Sequence, residues 1–255
     1  MFKRLSKTIR HEIEDTKVLL RNAPALAMVF FVISVVLMNL LANKELLNAG
    51  WIALDCGFAL SWLSFLAMDM LTKRFGPKAA IKLSLIAVLI NLMFSGLLYL
   101  ISLVPGNWGE YYTYNDTQVN AVLDHTIGGT WYVVLGSMTA FSVASVVNAF
   151  INSAIGKLAK SKSFGSFALR SYVSTAVGQF IDNFIFALLV SHVFFGWSMF
   201  QVFTCSLAGA LMELLSEVIF SPIGYKVSRR WESEGIGREY IEYAEAYSKS
   251  KEASK

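Results

Sequence analysis

The chain has 255 residues, of which 55% are hydrophobic and 16% are charged, and its formal net charge is +4. Soluble domains average about 25% charged residues, so this composition excludes an ordinary soluble domain and indicates an integral membrane protein. The two cysteines, Cys56 and Cys205, lie in apolar runs and form neither a disulfide framework nor a metal-ligand pattern. No Gly-rich phosphate loop stands out either, so we expect no metal and no cofactor.

Residues 1–22 are predicted to form a short amphipathic helix on the membrane surface. The segment is basic, and its apolar residues recur at helical spacing: Phe2, Leu5, Ile9 and Ile13. The apolar run that follows, residues 24–43, is too long for the hydrophobic region of a signal peptide. We therefore expect it to be a first transmembrane helix.

Five further apolar runs are long enough to cross a bilayer as helices, which takes about 20 residues. They cover about residues 50–71, 79–104, 130–158, 167–195 and 197–223. Together the runs predict an all-α integral membrane protein with six transmembrane helices. The predicted domains are an N-terminal segment (1–22), a transmembrane domain (23–226) and a polar tail (227–255).

Two segments outside these helices have a pattern of their own. Residues 105–129 are predicted to be a long polar loop whose aromatic residues suit the membrane interface. The tail has a stripe that favours a surface helix, formed by Tyr240, Tyr243, Ala244 and Tyr247.

The distribution of lysine and arginine predicts the orientation of the chain. All but Lys44 of the 22 basic residues fall in the termini and in the second-to-third and fourth-to-fifth connections. By the positive-inside rule these segments are cytoplasmic, and so are both termini. The rule explains the basic charge without nucleic acid as a partner. Asp55 and Asn43 are then expected at the outer interface.

The fifth predicted helix carries an unusual polar face. Thr175, Gln179 and Asp182 share one face of the helix, and Ser174 and Asn183 flank it. A central aspartate in a membrane helix costs about 2.5–3.5 kcal/mol on insertion scales, so it needs partners or a cavity. We interpret this face as a buried ligand site, with a satisfied structural polar cluster as the alternative.

Polar residues of other predicted helices extend this hypothesis. Asn91 and Glu213 are expected at the depth of Asp182, if the third, fifth and sixth helices adjoin. Arg170, Glu217 and Asp69 are expected nearer the cytoplasmic surface, as gating residues or as a structural ion pair. Carboxylates and amides without an intramembrane lysine suit a planar heterocycle rich in N–H donors. Aromatic residues available as walls are Phe180, Phe184, Phe186, Trp62 and Phe65.

Several stretches resemble the queuosine precursor transporter family, also called the vitamin uptake transporter family. The most specific is the run Leu169-Arg170…Ser174-Thr175…Gly178-Gln179…Asp182…Phe186. Three weaker stretches resemble other parts of the family: Asn39 to Lys44, Asp69…Thr72…Phe75-Gly76, and Glu213…Glu217…Pro222…Tyr225. The resemblance covers about residues 25–230.

The resemblance implies a six-helix fold akin to the solitary substrate-binding subunits of energy-coupling-factor transporters. It implies import of queuosine precursors, 7-cyano-7-deazaguanine and 7-aminomethyl-7-deazaguanine, across a bacterial inner membrane for salvage into tRNA. The site residues that it carries over are Arg170, Ser174, Thr175, Gln179, Asp182 and Glu213.

Other functions remain open from the sequence. The protein could import another heterocycle or vitamin, serve as a binding subunit of an ATP-driven partner, or act as a membrane scaffold. An intramembrane enzyme is disfavoured, because Ser191 and His192 are adjacent and point different ways on a helix. Asp69 and Asp182 are also expected at different depths, which disfavours an aspartyl protease.

Overall fold

The computed structural model describes residues 2–158 and 164–252. The elements in chain order are α1 (Phe2–Asn22), α2 (Ala25–Leu41), β1 (Glu45–Asn48), β2 (Ala53–Asp55), α3 (Phe58–Phe75), α4 (Pro77–Ser102), α5 (Gly109–Tyr114), α6 (Thr117–Gly128), α7 (Thr130–Leu158), α8 (Phe164–Phe186), a π-helix (Ala187–Ser191), α9 (His192–Phe195), α10 (Met199–Ser233) and α11 (Arg238–Glu252). This arrangement confirms an all-α membrane protein, apart from one short pair of strands.

Four helical stretches of the described residues are long and apolar enough to cross a membrane. They are Pro77–Ser102, Thr117–Val147, Ala176–Phe195 and Met199–Phe220. A fifth is added if Ile9–Asn22 and Ala25–Leu41, which meet at an angle of 106°, form one span. With 17 residues, α2 alone is only about 25 Å long at ~1.5 Å per residue, short of a hydrocarbon core of about 30 Å. The protein is therefore a multi-pass membrane protein, and the count of six spans, the orientation and the domain boundaries stay predictions.

Two sequence-based assignments were wrong. The second transmembrane helix was expected from residue 50, but β1 and β2 pair as an antiparallel hairpin and α3 begins only at Phe58. The expected loop 105–129 contains α5 and α6. The carboxylate of Asp116 accepts a hydrogen bond of 2.8 Å from the backbone N–H of Gln118, which caps α6 at its start.

The described chain divides into two compact units. The first unit comprises residues 1–33, 63–87 and 217–255, and the second comprises residues 34–62 and 88–216.

The core of the first unit joins α1, α3, the start of α4 and the tail helix α11. Its buried residues include Leu19, Leu71, Leu83 and Tyr240. The tail helix was expected from its tyrosine stripe, and Tyr240 is 4% exposed, so α11 packs into this core. Across the same contact the His11 ring stacks on Tyr247, with ring centroids 3.4 Å apart.

An ion-pair cluster ties α1 to α4 within the first unit. The Lys82 ammonium contacts the carboxylates of both Asp15 and Glu12. Asp15 is 7% exposed, so its charge is largely withdrawn from water and depends on this partner. Lys82 also holds the pKa of Glu12 below its usual range, through a hydrogen bond and charge attraction.

Lys82→Met is expected to destabilise the first unit, because it leaves Asp15 buried without a cation. We expect a loss of about 2 kcal/mol, reduced from the full value for a buried pair because Lys82 remains partly exposed. Thermal unfolding in detergent micelles measures the effect. Lys17→Met is the control, since Lys17 pairs with Glu14 at an exposed position. Equal losses in the two variants would contradict the role of Lys82.

The β-hairpin of the second unit is attached by three hydrogen bonds to the first turns of α10 and to Trp197, which lies just before that helix. Trp197 Nε1 donates to Glu45 Oε1 at 2.6 Å, and Gln201 Nε2 donates to Asn48 Oδ1 at 2.8 Å. Thr204 Oγ1 donates to the carbonyl of Trp51 at 2.7 Å. These bonds connect residues more than 150 positions apart in the chain, so the hairpin depends on tertiary structure.

Asp55 ends this hairpin as a buried carboxylate. Its Oδ1 accepts a hydrogen bond of 2.9 Å from the backbone N–H of Gly57. Burial raises the pKa of Asp55 to about 6, and the backbone hydrogen bonds from Gly57 and Phe58 offset only part of this effect. A carboxyl whose pKa is higher in the folded state favours folding when protonated. Its contribution is therefore present below about pH 4 and is lost as the pH rises through 6.

Asp55→Asn is expected to remove this pH dependence, since an asparagine carbonyl can still accept the bond from Gly57. The wild-type protein should lose thermal stability between pH 4 and pH 7, by at most about 3 kcal/mol for a shift of this size. The variant should be more stable than wild type at pH 7 and nearly equal to it at pH 4. Unfolding curves across this range test the expectation, and parallel curves for the two proteins would refute it.

Candidate functional site

Three polar side chains of α8 form the described part of the predicted polar face: Gln179, Asp182 and Asn183. Their spacing of three and four residues places them on one side of the helix. Asn183 Nδ2 donates to the backbone carbonyl of Gln179 at 2.9 Å, which fixes the amide against its own helix. The face predicted from the sequence is therefore present as one surface of α8.

Asn183 also connects α8 to α10. Its Nδ2 donates to Oε1 of Glu213 at 3.2 Å, and the Glu213 side chain is 7% exposed. Gly209 lies one turn before Glu213 and faces the same asparagine. A Cβ at Gly209 would lie only 2.8 Å from Oδ1 of Asn183. The absence of a side chain at Gly209 thus lets Asn183 reach Glu213.

Two acceptor atoms beside this contact are buried without a hydrogen-bond partner in the described part of the chain. They are Oδ1 of Asp182 and Oε1 of Gln179. Asp182 is near enough to Glu213 for the two carboxyl groups to interact electrostatically, and no described ion pair involves either group. A buried polar atom without a partner costs about 1–3 kcal/mol, so this arrangement favours a ligand that supplies N–H donors.

Aromatic rings also connect α8 with α10. The Phe180 ring stacks on Phe184 with centroids 5.9 Å apart and meets the edge of Phe203 at 5.6 Å. Phe203 comes from α10, so the two helices that carry the polar cluster also meet through aromatic rings. Phe186, another aromatic candidate, packs instead in an apolar cluster with Val133 and Val190.

Asn91 is not connected to this cluster by any described contact. It lies in α4, its side chain is 2% exposed, and its Oδ1 has no partner among the described residues. The structure therefore brings together Gln179, Asp182, Asn183 and Glu213. The expected meeting of Asn91 with them stays a prediction.

The remaining predicted site residues lie in helices, but their side chains are outside the described residues. Ser174, Thr175 and Arg170 are in α8, Asp69 is in α3 and Glu217 is in α10. Their roles in the site, and the pairing of Arg170 with Glu217, stay predictions.

A π-helix follows the polar face directly, a feature that the hydrophobic pattern did not signal. It covers Ala187–Ser191, and the carbonyl of Leu189 within it accepts a hydrogen bond of 2.8 Å from the Tyr132 hydroxyl. Turns of π-helix occur mostly as single insertions, frequently at functional sites. His192 is hydrogen-bonded to the carbonyl of Trp197. Ser191 Oγ is buried without a described partner, so the two residues form no nucleophile–base pair.

Metal ligation has no candidate in the described ranges. Within residues 2–158 and 164–252, no three His, Cys, Asp or Glu side chains are grouped so that they could hold a metal ion.

Gly209→Ala is expected to separate Asn183 from Glu213. The new methyl group would displace the asparagine amide, and the loss of its hydrogen bond should cost about 1 kcal/mol in thermal stability. Gly96→Ala is the matched control, because a Cβ at Gly96 meets nothing within 4 Å in the described structure. Unfolding of both purified variants measures the difference. An equal effect of the two alanines would show that Gly209 has no special role.

Comparison with known proteins gives one match. The family model described as "Putative vitamin uptake transporter" matches residues 55–227, about two thirds of the chain, and this range includes α8 and the part of α10 that carries Glu213. No curated protein and no solved structure matches the chain. The description names a transport function and not an enzyme class, and the match confirms the resemblance found in the sequence. The chain belongs to the vitamin uptake transporter family.

Proposed function

We propose that this protein imports queuosine precursors, 7-cyano-7-deazaguanine and 7-aminomethyl-7-deazaguanine, across a bacterial inner membrane for salvage into tRNA. Membership of the vitamin uptake transporter family supports uptake of a small organic molecule. The choice of a deazaguanine follows the sequence resemblance around Gln179 and Asp182 and the chemistry of the buried cluster.

The observation that carries this proposal is the surplus of buried acceptors between α8 and α10. Oδ1 of Asp182 and Oε1 of Gln179 have no described partner, and Glu213 receives one hydrogen bond from Asn183. The pairing edge of a guanine-like base presents a ring N–H and an amino group side by side. These donors match neighbouring carboxylate and amide oxygens, and such charge-assisted bonds are strong where water is excluded.

In this mechanism Asp182 and Gln179 bind the donor edge of the base, and Glu213 lies within reach as a second carboxylate. Asn183 holds Glu213 in position, and Phe180 and Phe203 offer rings against which a flat base can pack. In the sequence pattern, Thr175 lies on the same face towards the predicted cytoplasmic side, and Ser174 flanks it. Movement of α8 relative to α10 would change the binding cluster itself, which couples transport to occupancy of the site.

Asp182→Asn is expected to abolish uptake, because the amide replaces a charged acceptor and adds a donor that faces the ligand's own N–H groups. The test uses a bacterial strain that cannot synthesise the precursor and depends on added 7-aminomethyl-7-deazaguanine. The queuosine content of its tRNA is the measured quantity. Asp116→Asn is the control, since Asp116 is an exposed helix cap where asparagine is equally suitable.

Wild-type queuosine content with correctly inserted Asp182→Asn protein would overturn the assignment of the site. Thermal stabilisation of the purified protein by a panel of deazaguanines, purines and vitamins tests the substrate class separately. A stronger shift with a vitamin than with either deazaguanine would replace the proposed substrate. Uptake that requires an added ATP-driven partner would identify a binding subunit.

A further inference from the structure

A cavity lies in the second unit, and its lining does not include the cluster of Asp182. Its volume is about 840 Å³, within the range of about 300–1,000 Å³ that is usual for small-molecule sites. It lies where α4 ends and α7 begins, on the side that the positive-inside rule predicts to be external. Its lining residues include Tyr99, Asp124, His125, Trp131, Tyr132 and Phe194.

The walls of this outer cavity are mainly aromatic. Tyr132 stacks on Phe194 with centroids 5.3 Å apart, and Trp131 meets Tyr132 edge to face at 5.9 Å. The Tyr132 ring is fixed at its other end, because its hydroxyl donates to the carbonyl of Leu189. Tyr99 and Trp131 keep 45% and 41% of their surface exposed, so their rings remain accessible to a ligand.

Asp124 is the carboxylate of the cavity and is held in place. Its Oδ1 accepts a hydrogen bond of 2.8 Å from Trp108 Nε1, and the Trp108 backbone N–H donates to Asn120 Oδ1 at 2.7 Å. The segment before α5 is thereby fastened to α6. No described ion pair neutralises Asp124.

The segments on the predicted external side, one of which supplies Asp124 to the cavity, carry a net negative charge. Residues 83–156 contain no lysine or arginine at all. The three segments on the predicted external side, 43–57, 103–129 and 196–198, contain one basic residue, Lys44. They contain five acids: Glu45, Asp55, Glu110, Asp116 and Asp124. Such a field attracts cations and repels anions before they reach the cavity.

α6 extends this negative surface beyond the apolar layer. The stretch Thr117–Val147 has 31 residues, about 46 Å at ~1.5 Å per residue, which exceeds a hydrocarbon core of about 30 Å. Asp124 lies near the start of this stretch, so the excess length allows it to lie at the water-facing end of the helix.

We propose that the outer cavity is a capture site for aromatic cations, with Asp124 binding the ammonium group and the rings of Trp131 and Tyr132 packing on the aromatic part. Cation–π attraction adds to the carboxylate contact at such a site. The proposal rests on the proposed function for the identity of the natural ligand. It then predicts that the protein takes up 7-aminomethyl-7-deazaguanine, which carries an ammonium group, in preference to the uncharged 7-cyano-7-deazaguanine.

The experiment measures quenching of tryptophan fluorescence in purified Asp182→Asn protein, which disables the site between α8 and α10. The two deazaguanines differ in one substituent and form a matched ligand pair. We expect saturable binding of the aminomethyl compound, tighter by roughly 10-fold or more than that of the cyano compound, as one charge-assisted contact implies. Raising the salt concentration should weaken binding of the aminomethyl compound and leave binding of the cyano compound unchanged. The pH is kept constant, because His125 also lines the cavity.

Asp124→Asn in the same background should remove the preference for the ammonium compound. The asparagine carbonyl can still accept the bond from Trp108, so the fold of the loop is preserved. Glu110→Gln is the control, since it makes the same change of charge in α5 without lining the cavity. It should alter affinity by less than about twofold. Trp131→Phe should remove most of the fluorescence change and thereby locate the ligand.

The outcomes separate this proposal from the proposed function. Equal binding of the two deazaguanines, or an equal effect of the Asp124 and Glu110 variants, would overturn the capture site while leaving the transporter assignment intact. If neither deazaguanine enters cells, the proposed function fails, and benzylamine against benzyl alcohol then tests the cavity by itself. Benzylamine bound no better than benzyl alcohol would overturn the capture site independently.

Discussion

Two neighbouring carboxyl groups in an apolar environment set the main constraint on the second unit. Asp182 and Glu213 lie on adjacent helices, and a carboxylate in such surroundings needs a donor or a cation. Glu213 obtains its donor from Asn183, and Asn183 fits only because position 209 has no side chain. Asp182 and Gln179 have no equivalent among the described residues. Glu213 thus has a hydrogen-bond donor within the helix contact, whereas Asp182 and Gln179 each have an acceptor atom without one. This is expected where a ligand supplies the missing hydrogen bonds.

In the first unit, by contrast, the buried acid Asp15 and other polar groups have partners within the protein. Its buried acid, Asp15, is paired directly with Lys82. Arg74 Nε donates to the carbonyl of Ile236 at 2.7 Å, and Asn22 Nδ2 donates to Glu239 at 3.0 Å. Polar groups that satisfy one another stabilise a structure, whereas unsatisfied ones are retained chiefly for function. This distribution among the described residues supports the proposal that the second unit carries the binding chemistry.

The sequence predicted features that depend on local pattern and missed those that depend on distant contacts. Long apolar runs located the main helices, and the spacing of Gln179, Asp182 and Asn183 defined the face that reaches Glu213. The β-hairpin was missed because strands of three and four residues carry little signal of their own, and Trp197 and Gln201 hold them from across the chain. The meeting of Asn91 with Asp182 stays a prediction, because depth along a helix does not specify which helices are neighbours. The pairing of Asp124 with Trp108 was not predictable from local pattern, because these residues and the surrounding aromatic rings come together only in the fold.

The π-helix at Ala187–Ser191 has a consequence for how the two halves of this long helical stretch are related. Such a turn holds one residue more than the same length of α-helix. Each later side chain is therefore shifted by about 100° around the helix axis, relative to the direction that a regular α-helix would give it. Val193 to Phe195 therefore face a direction that the periodicity of residues 176–186 does not predict, and they line the outer cavity although the polar face points into the helix contact. In a family member with a regular α-helix here, deletion of one residue would keep the following aromatic residues directed at the cavity. A regular α-helix with the same number of residues would instead rotate them away by about 100°.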